Sequence, residues 1–119
     1  MSRFKLVVCA FRLAAWLCFG LIAVLSLIPH HLEVRTGLPA FVEHMLAYAA
    51  TGGLFGAGYL SWAWWQIASA MLVYAGCLEV LQALVPGRHP GFDGAFASGA
   101  GALLGALVAK LAVGSRLQP

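Results

Sequence analysis

The residues able to do chemistry in this chain are few, and they cluster. Cys77 to Asp93 reads CLEVLQALVPGRHPGFD and holds Glu79, Gln82, Arg88, His89 and Asp93, including two of the chain's four acids. Glu79 and Gln82 are three residues apart, so on a helix they share a face, as do His44 and Tyr48 at a spacing of four. Both pairs interrupt apolar runs. A carboxylate within such a run costs several kcal/mol unless it is paired, which marks Glu79 as a functional-site candidate. Arg88 is the expected counter-ion because guanidinium grips carboxylate bidentately, with His44 and His89 as alternatives.

Several chemistries follow from these residue types. Arg88 and His89 would engage a phosphate or carboxylate head while Glu79 and Asp93 orient them. Glu79 or His44 could instead act as acid or base, the candidate catalytic roles, because a partly buried Glu holds its proton more tightly and a neighbouring His relays it. Glu43, His44, Glu79, His89 and Asp93 are all capable metal ligands. No HExxH or repeated ligand spacing accompanies them, so neither a metal nor a cofactor is expected. Cys9, Cys18 and Cys77 sit in apolar runs and read as packed thiols.

The elements that must position these groups are helices in a membrane. Of 119 residues, 62% are hydrophobic and 9% charged, with mean hydropathy +0.90. An average soluble domain carries about 25% charged residues. The expectation is an all-α integral membrane bundle of four transmembrane helices forming one domain, at about 6–28, 41–59, 62–85 and 93–113. Phe41 to Val85 lacks proline, yet one helix of that length would reach roughly 67 Å, about twice the hydrocarbon core. It must break, and Gly58-Tyr59-Leu60-Ser61-Trp62 is the predicted place, where aromatic rings gather as they do at a membrane boundary. Pro29-His30-His31 stops the first helix, with both histidines expected at the interface. Pro86 to Gly91 forms the clearest loop, and Asp93 is an expected N-cap.

Arg12 interrupts the first hydrophobic stretch and no small-residue cleavage site follows, so an uncleaved first helix is expected rather than a signal peptide. The tails carry Arg3, Lys5, Arg12, Lys110 and Arg116 and no acids. The positive-inside rule therefore puts both termini in the cytoplasm and the polar groups near the outer face. The dispersed net charge of +3 argues against nucleic-acid binding. Ala97, Gly101 and Gly105 form a small-residue strip on the fourth helix, with Gly52 and Gly56 as a shorter match on the second. Packing within the bundle is the favoured reading of this strip, a homo-oligomer seam the other.

His44 with Tyr48, Glu79 with Gln82, then Pro86-Gly87-Arg88, Asp93 and a glycine-bearing helix together resemble the VanZ-like family, over roughly Val42 to Leu107. The resemblance implies a small multi-helix membrane protein of the cell envelope, in the bacterial inner membrane. The family's founding member is associated with resistance to teicoplanin. Two departures stand out. Family members often carry Asp-Lys shortly before the histidine, where this chain has Ala40-Phe41 with Glu43 nearby. They often carry Asn one turn after the aspartate, where Ser98 is the nearest polar group here.

Three functions remain open on the sequence. A binding protein would take an anionic lipid or amphiphile at the outer face through His44, Tyr48, Glu79, Gln82, Arg88, His89 and Asp93. An intramembrane acid/base enzyme would act on lipid-linked envelope substrates. A structural or assembly subunit would use the Gly101/Gly105 strip. Binding is favoured over catalysis because no recognisable nucleophile accompanies the carboxylates.

Overall fold

The computed structural model describes residues 2–33, 35–88 and 91–117. Four helices carry the fold: α1 (Arg3–Leu27), α2 (Ala40–Gly58), α3 (Trp64–Gln82) and α4 (Phe92–Leu117), with a 3-10 turn at His30–Leu32. No strand occurs among the described residues. The bundle is elongated, 52 × 26 × 24 Å.

Among the described residues, three helices are long and apolar enough to cross a membrane: α1, α3 and the Asp93–Gly114 part of α4. α2 does not reach that standard, which differs from the four spans expected. Its 19 residues include Glu43, His44, Thr51 and several glycines. The physical reason lies in its position. Tyr48, Thr51, Gly52, Phe55, Gly56 and Gly58 are all buried against the other helices. A helix enclosed this way can carry small and polar groups that a lipid-facing helix cannot. Thr51, fully buried, satisfies its hydroxyl locally by donating to the Ala47 carbonyl at 2.8 Å.

α2 and α4 meet backbone to backbone. A Cβ placed on Gly101 would strike the Met45 carbonyl oxygen, and one on Gly105 that of Ala49. A Cβ on Gly52 would lie 2.6 Å from the Ala102 oxygen. Gly56 faces Ala106 and Ala109. The small-residue strips thus lie at a seam inside the bundle, extended by Ala102 and Ala106, both fully buried. Ala97 is buried on the same helix.

The break between α2 and α3 falls at Tyr59–Ala63. Tyr59 and Trp62 stack at 3.9 Å, and the Trp62 amide donates to the Tyr59 carbonyl at 3.1 Å. Two cations close the end of α2. Arg12 donates to the Gly58 carbonyl at 2.7 Å with its guanidinium 4.7 Å above the Tyr59 ring, and Lys110 donates to the Tyr59 carbonyl at 2.8 Å. Cations suit a helix C-terminus, where carbonyls lack intrahelical partners and the dipole is negative.

α3 ends at Gln82, three residues before the expected Val85. The amides of Ala83, Leu84 and Val85 each bond to a carbonyl three residues back, a tightening that precedes Pro86. Glu79 consequently sits in the last turn of α3, nearer its end than the longer helix implied.

The seam predicts a contrast in stability. Gly105→Ala forces a methyl onto the Ala49 backbone and should lower stability by about 1–3 kcal/mol. Gly20→Ala, where nothing lies within 4 Å, should be neutral or stabilising. Thermal unfolding of both variants in detergent checks this, and equal effects would contradict the seam.

Candidate functional site

The ends of α1 and α3 and the starts of α2 and α4 meet at one end of the bundle around a cavity of about 600 Å³. His44, Tyr48, Glu79, Gln82, Arg88 and Asp93 all line it. His89 lies outside the described residues. All four acids of the chain line this cavity, whereas Arg12 and Lys110 bind the opposite end of α2.

Arg88 reaches the site by a tight turn. Its amide bonds to the Val85 carbonyl at 3.2 Å across Pro86-Gly87, and Gly87 has φ 77°, the left-handed value that this type II geometry demands. The turn aims the side chain at α1 and not at Glu79. Nε donates to the Ile28 carbonyl at 2.9 Å, one terminal nitrogen to the Leu25 carbonyl at 2.6 Å, and the other to Glu33 at 2.7 Å. The expected Arg88–Glu79 pair is therefore replaced by Arg88–Glu33, with the two side chains only 11% and 18% exposed. Gln82 acts alongside, donating to the Ser26 carbonyl at 2.8 Å. Together they anchor the carbonyl end of α1, so neither directs its donors into the cavity.

A second ion chain ties down the α1–α2 connection. Arg35 bonds to Glu43 at 2.8 Å and lies 3.8 Å from Glu33. Glu43 also accepts from the Thr36 amide and hydroxyl, both at 3.1 Å. Glu33 and Glu43 are thus each matched to an arginine. Asp93, expected as the N-cap, lies inside the first turn because α4 begins at Phe92. It is exposed there, where a negative charge complements the helix dipole.

Glu79 and His44 are arranged differently. Glu79 Oε2 accepts the Gly91 amide at 2.8 Å, just before α4. Its other oxygen lies 2.9 Å, and His44 Nδ1 3.1 Å, from the point a Cβ on Gly94 would occupy. They are close neighbours without a direct bond. His44 Nδ1 is buried and has no hydrogen-bond partner among the described residues. Glycine at position 94 is what allows carboxylate and imidazole to approach α4 together. Tyr48, 3% exposed, sits one turn along α2 and lines the cavity together with the buried Ser98 of α4. No three of His, Cys, Asp or Glu form a metal-ligand set among the described residues.

A second cavity of about 480 Å³ lies farther along α1 and α3. Trp16, Phe19, Phe55, Trp62, Met71 and Tyr74 make it an apolar groove. Phe19 and Tyr74 stack at 3.9 Å between the helices, and Tyr74 donates to the Phe19 carbonyl at 2.6 Å.

No family model matches the chain, and comparison with curated proteins and with solved structures returns no match.

The sequence missed the two ion chains and the anchoring of α1. Arg35, Thr36 and Glu43 are close enough in sequence to suggest a local clasp, but nothing in the spacing of Glu33 and Arg88 announces their contact. Arg88→Ala should lower stability by about 1–3 kcal/mol, because it removes the donors to the Leu25 and Ile28 carbonyls and one ion pair of Glu33. Gln82→Ala should cost about 1–3 kcal/mol. Unfolding midpoints in detergent check both, and an unchanged midpoint for Arg88→Ala would contradict the anchoring role.

Proposed function

We propose that the chain is a multi-pass integral membrane protein that binds an amphiphile, with the polar head in the cavity around Glu79 and His44. In this reading α2 is the fourth, central span, and both termini face the cytoplasm. Three helices of membrane-spanning length and apolarity support the setting. The basic residues near the termini and the acids at the opposite end support the orientation. The VanZ-like resemblance suggests the inner membrane of a bacterial cell envelope, and makes glycopeptide susceptibility a phenotype to examine.

The observation that carries the reading is the pairing of two cavities along one seam. A polar chamber at the end of the bundle stands in line with an apolar, aromatic groove between the same two helices, α1 and α3. Ser26 and Trp16, at the two ends, are separated by roughly 15 Å of helix. A head group and a hydrocarbon tail have that division of chemistry. Selection of an anionic head by Arg88 receives less support, since its donors are directed to α1 and Glu33.

A second reading rests on the orphaned His44 nitrogen beside Glu79. A carboxylate and an imidazole brought to the same face of α4 would suit acid/base work on a lipid-linked substrate.

Native mass spectrometry of the full chain tests the binding reading. Wild type should retain a co-purified lipid, and Ala47→Trp, which places an indole in the chamber, should lose it. Identical lipid profiles would overturn the reading.

A further inference from the structure

Charge around the chamber is unevenly matched. Its walls carry four carboxylates, from Glu33, Glu43, Glu79 and Asp93, and two arginines, Arg35 and Arg88. Both arginines are committed: Arg88 bonds to Glu33, and Arg35 to Glu43. Among the described residues no lysine or arginine forms an ion pair with Glu79 or Asp93. The helix dipoles do not restore the balance. Two helix N-termini, of α2 and α4, and two C-termini, of α1 and α3, meet here, and their partial charges of about half a unit oppose one another.

The polar atoms left over have a definite character. A carboxylate oxygen such as Glu79 Oε1 accepts hydrogen bonds, and His44 Nδ1 accepts one in the tautomer that carries its proton on Nε2. Glu79 Oε1 and the buried, unpartnered His44 Nδ1 lie within 3.1 Å of a common point beside Gly94. No hydrogen bond joins them, and their distances to that point put them no more than about 6 Å apart, a gap that one donor group hydrogen-bonded to both can span. A phosphate or carboxylate head would bring a third negative charge against Glu79 and Asp93. An ammonium brings donors to both acceptors and neutralises the carboxylate.

Resting on the amphiphile-binding reading, we infer that the chamber selects a cationic head: the ligand is a single-chain amphiphile bearing a primary ammonium group, held between Glu79 and His44. The nearby apolar groove takes the chain. A charge-assisted hydrogen bond contributes about 1.5–3 kcal/mol, which corresponds to at least about tenfold in affinity.

The test compares heads on a constant tail. Full-length protein in a neutral detergent is titrated at neutral pH with decylamine, decanol and decyl phosphate, and adducts are counted by native mass spectrometry. Decylamine should bind at least about tenfold tighter than decyl phosphate. Glu79→Gln, which can still accept the Gly91 amide, should erase that preference. Asp93→Asn, at an exposed position, should reduce it. A preference for decyl phosphate, or an amine preference that survives Glu79→Gln, would overturn the inference. Ala47→Trp separates the two levels of the argument. If decyl phosphate binds as tightly as decylamine or tighter and Ala47→Trp abolishes its binding, the chamber holds amphiphiles and the cationic assignment fails. If no probe binds wild type, both fail.

Discussion

The unsatisfied carbonyls at the end of a helix must find donors, and in an apolar bundle few donors exist. Each helix leaves four such groups at its C-terminus, and without water each costs several kcal/mol. Much of this chain's small polar inventory goes to that need. Arg88 and Gln82 serve the end of α1, and Arg12 and Lys110 serve the end of α2. Once these donors are assigned, what remains is Glu79 and His44, whose facing atoms make no bond that holds the fold together. The site is defined by this remainder.

Close approach of α2 and α4 decides where the remainder sits. Gly101 and Gly105 let the α4 backbone touch that of α2, and Gly94 continues the same allowance to the start of α4. His44 on α2 and Glu79 on α3 then converge on the glycine of a third helix. The ion chain from Arg88 through Glu33 and Arg35 to Glu43 fixes the α1–α2 connection beside them. Rigid elements thus hold Glu79 Oε1 and His44 Nδ1 beside one another, while Glu79 Oε2 fixes the carboxylate by accepting the Gly91 amide, as a binding site needs.

Much of this architecture was legible in the residues. Proline and glycine marked the Pro86–Gly91 loop, and the length of the Phe41–Val85 run forced a break that falls at Tyr59–Ala63. Helical spacing put Glu79 with Gln82, and His44 with Tyr48, on shared faces, and the alternating helix directions brought both pairs to one end of the bundle. The direction of Arg88 was not legible. It depends on the left-handed Gly87 in the turn and on where α1 stops, and neither is a property of the spacing between Arg88 and Glu79. Three-dimensional competition for the guanidinium was won by α1 carbonyls and Glu33. The low hydropathy of α2 was not legible as burial, although its position among the other helices lets it carry polar and small residues.

The central claim is that Glu79 and His44 act together as one ligand site. A double-mutant cycle on decylamine affinity tests it most directly, using Glu79→Gln, His44→Phe and the double variant. If one ammonium bridges both groups, removing the second should cost little once the first is gone. The cycle should then give a coupling of about 1 kcal/mol or more. Strictly additive losses, or no loss from either substitution, would contradict the account.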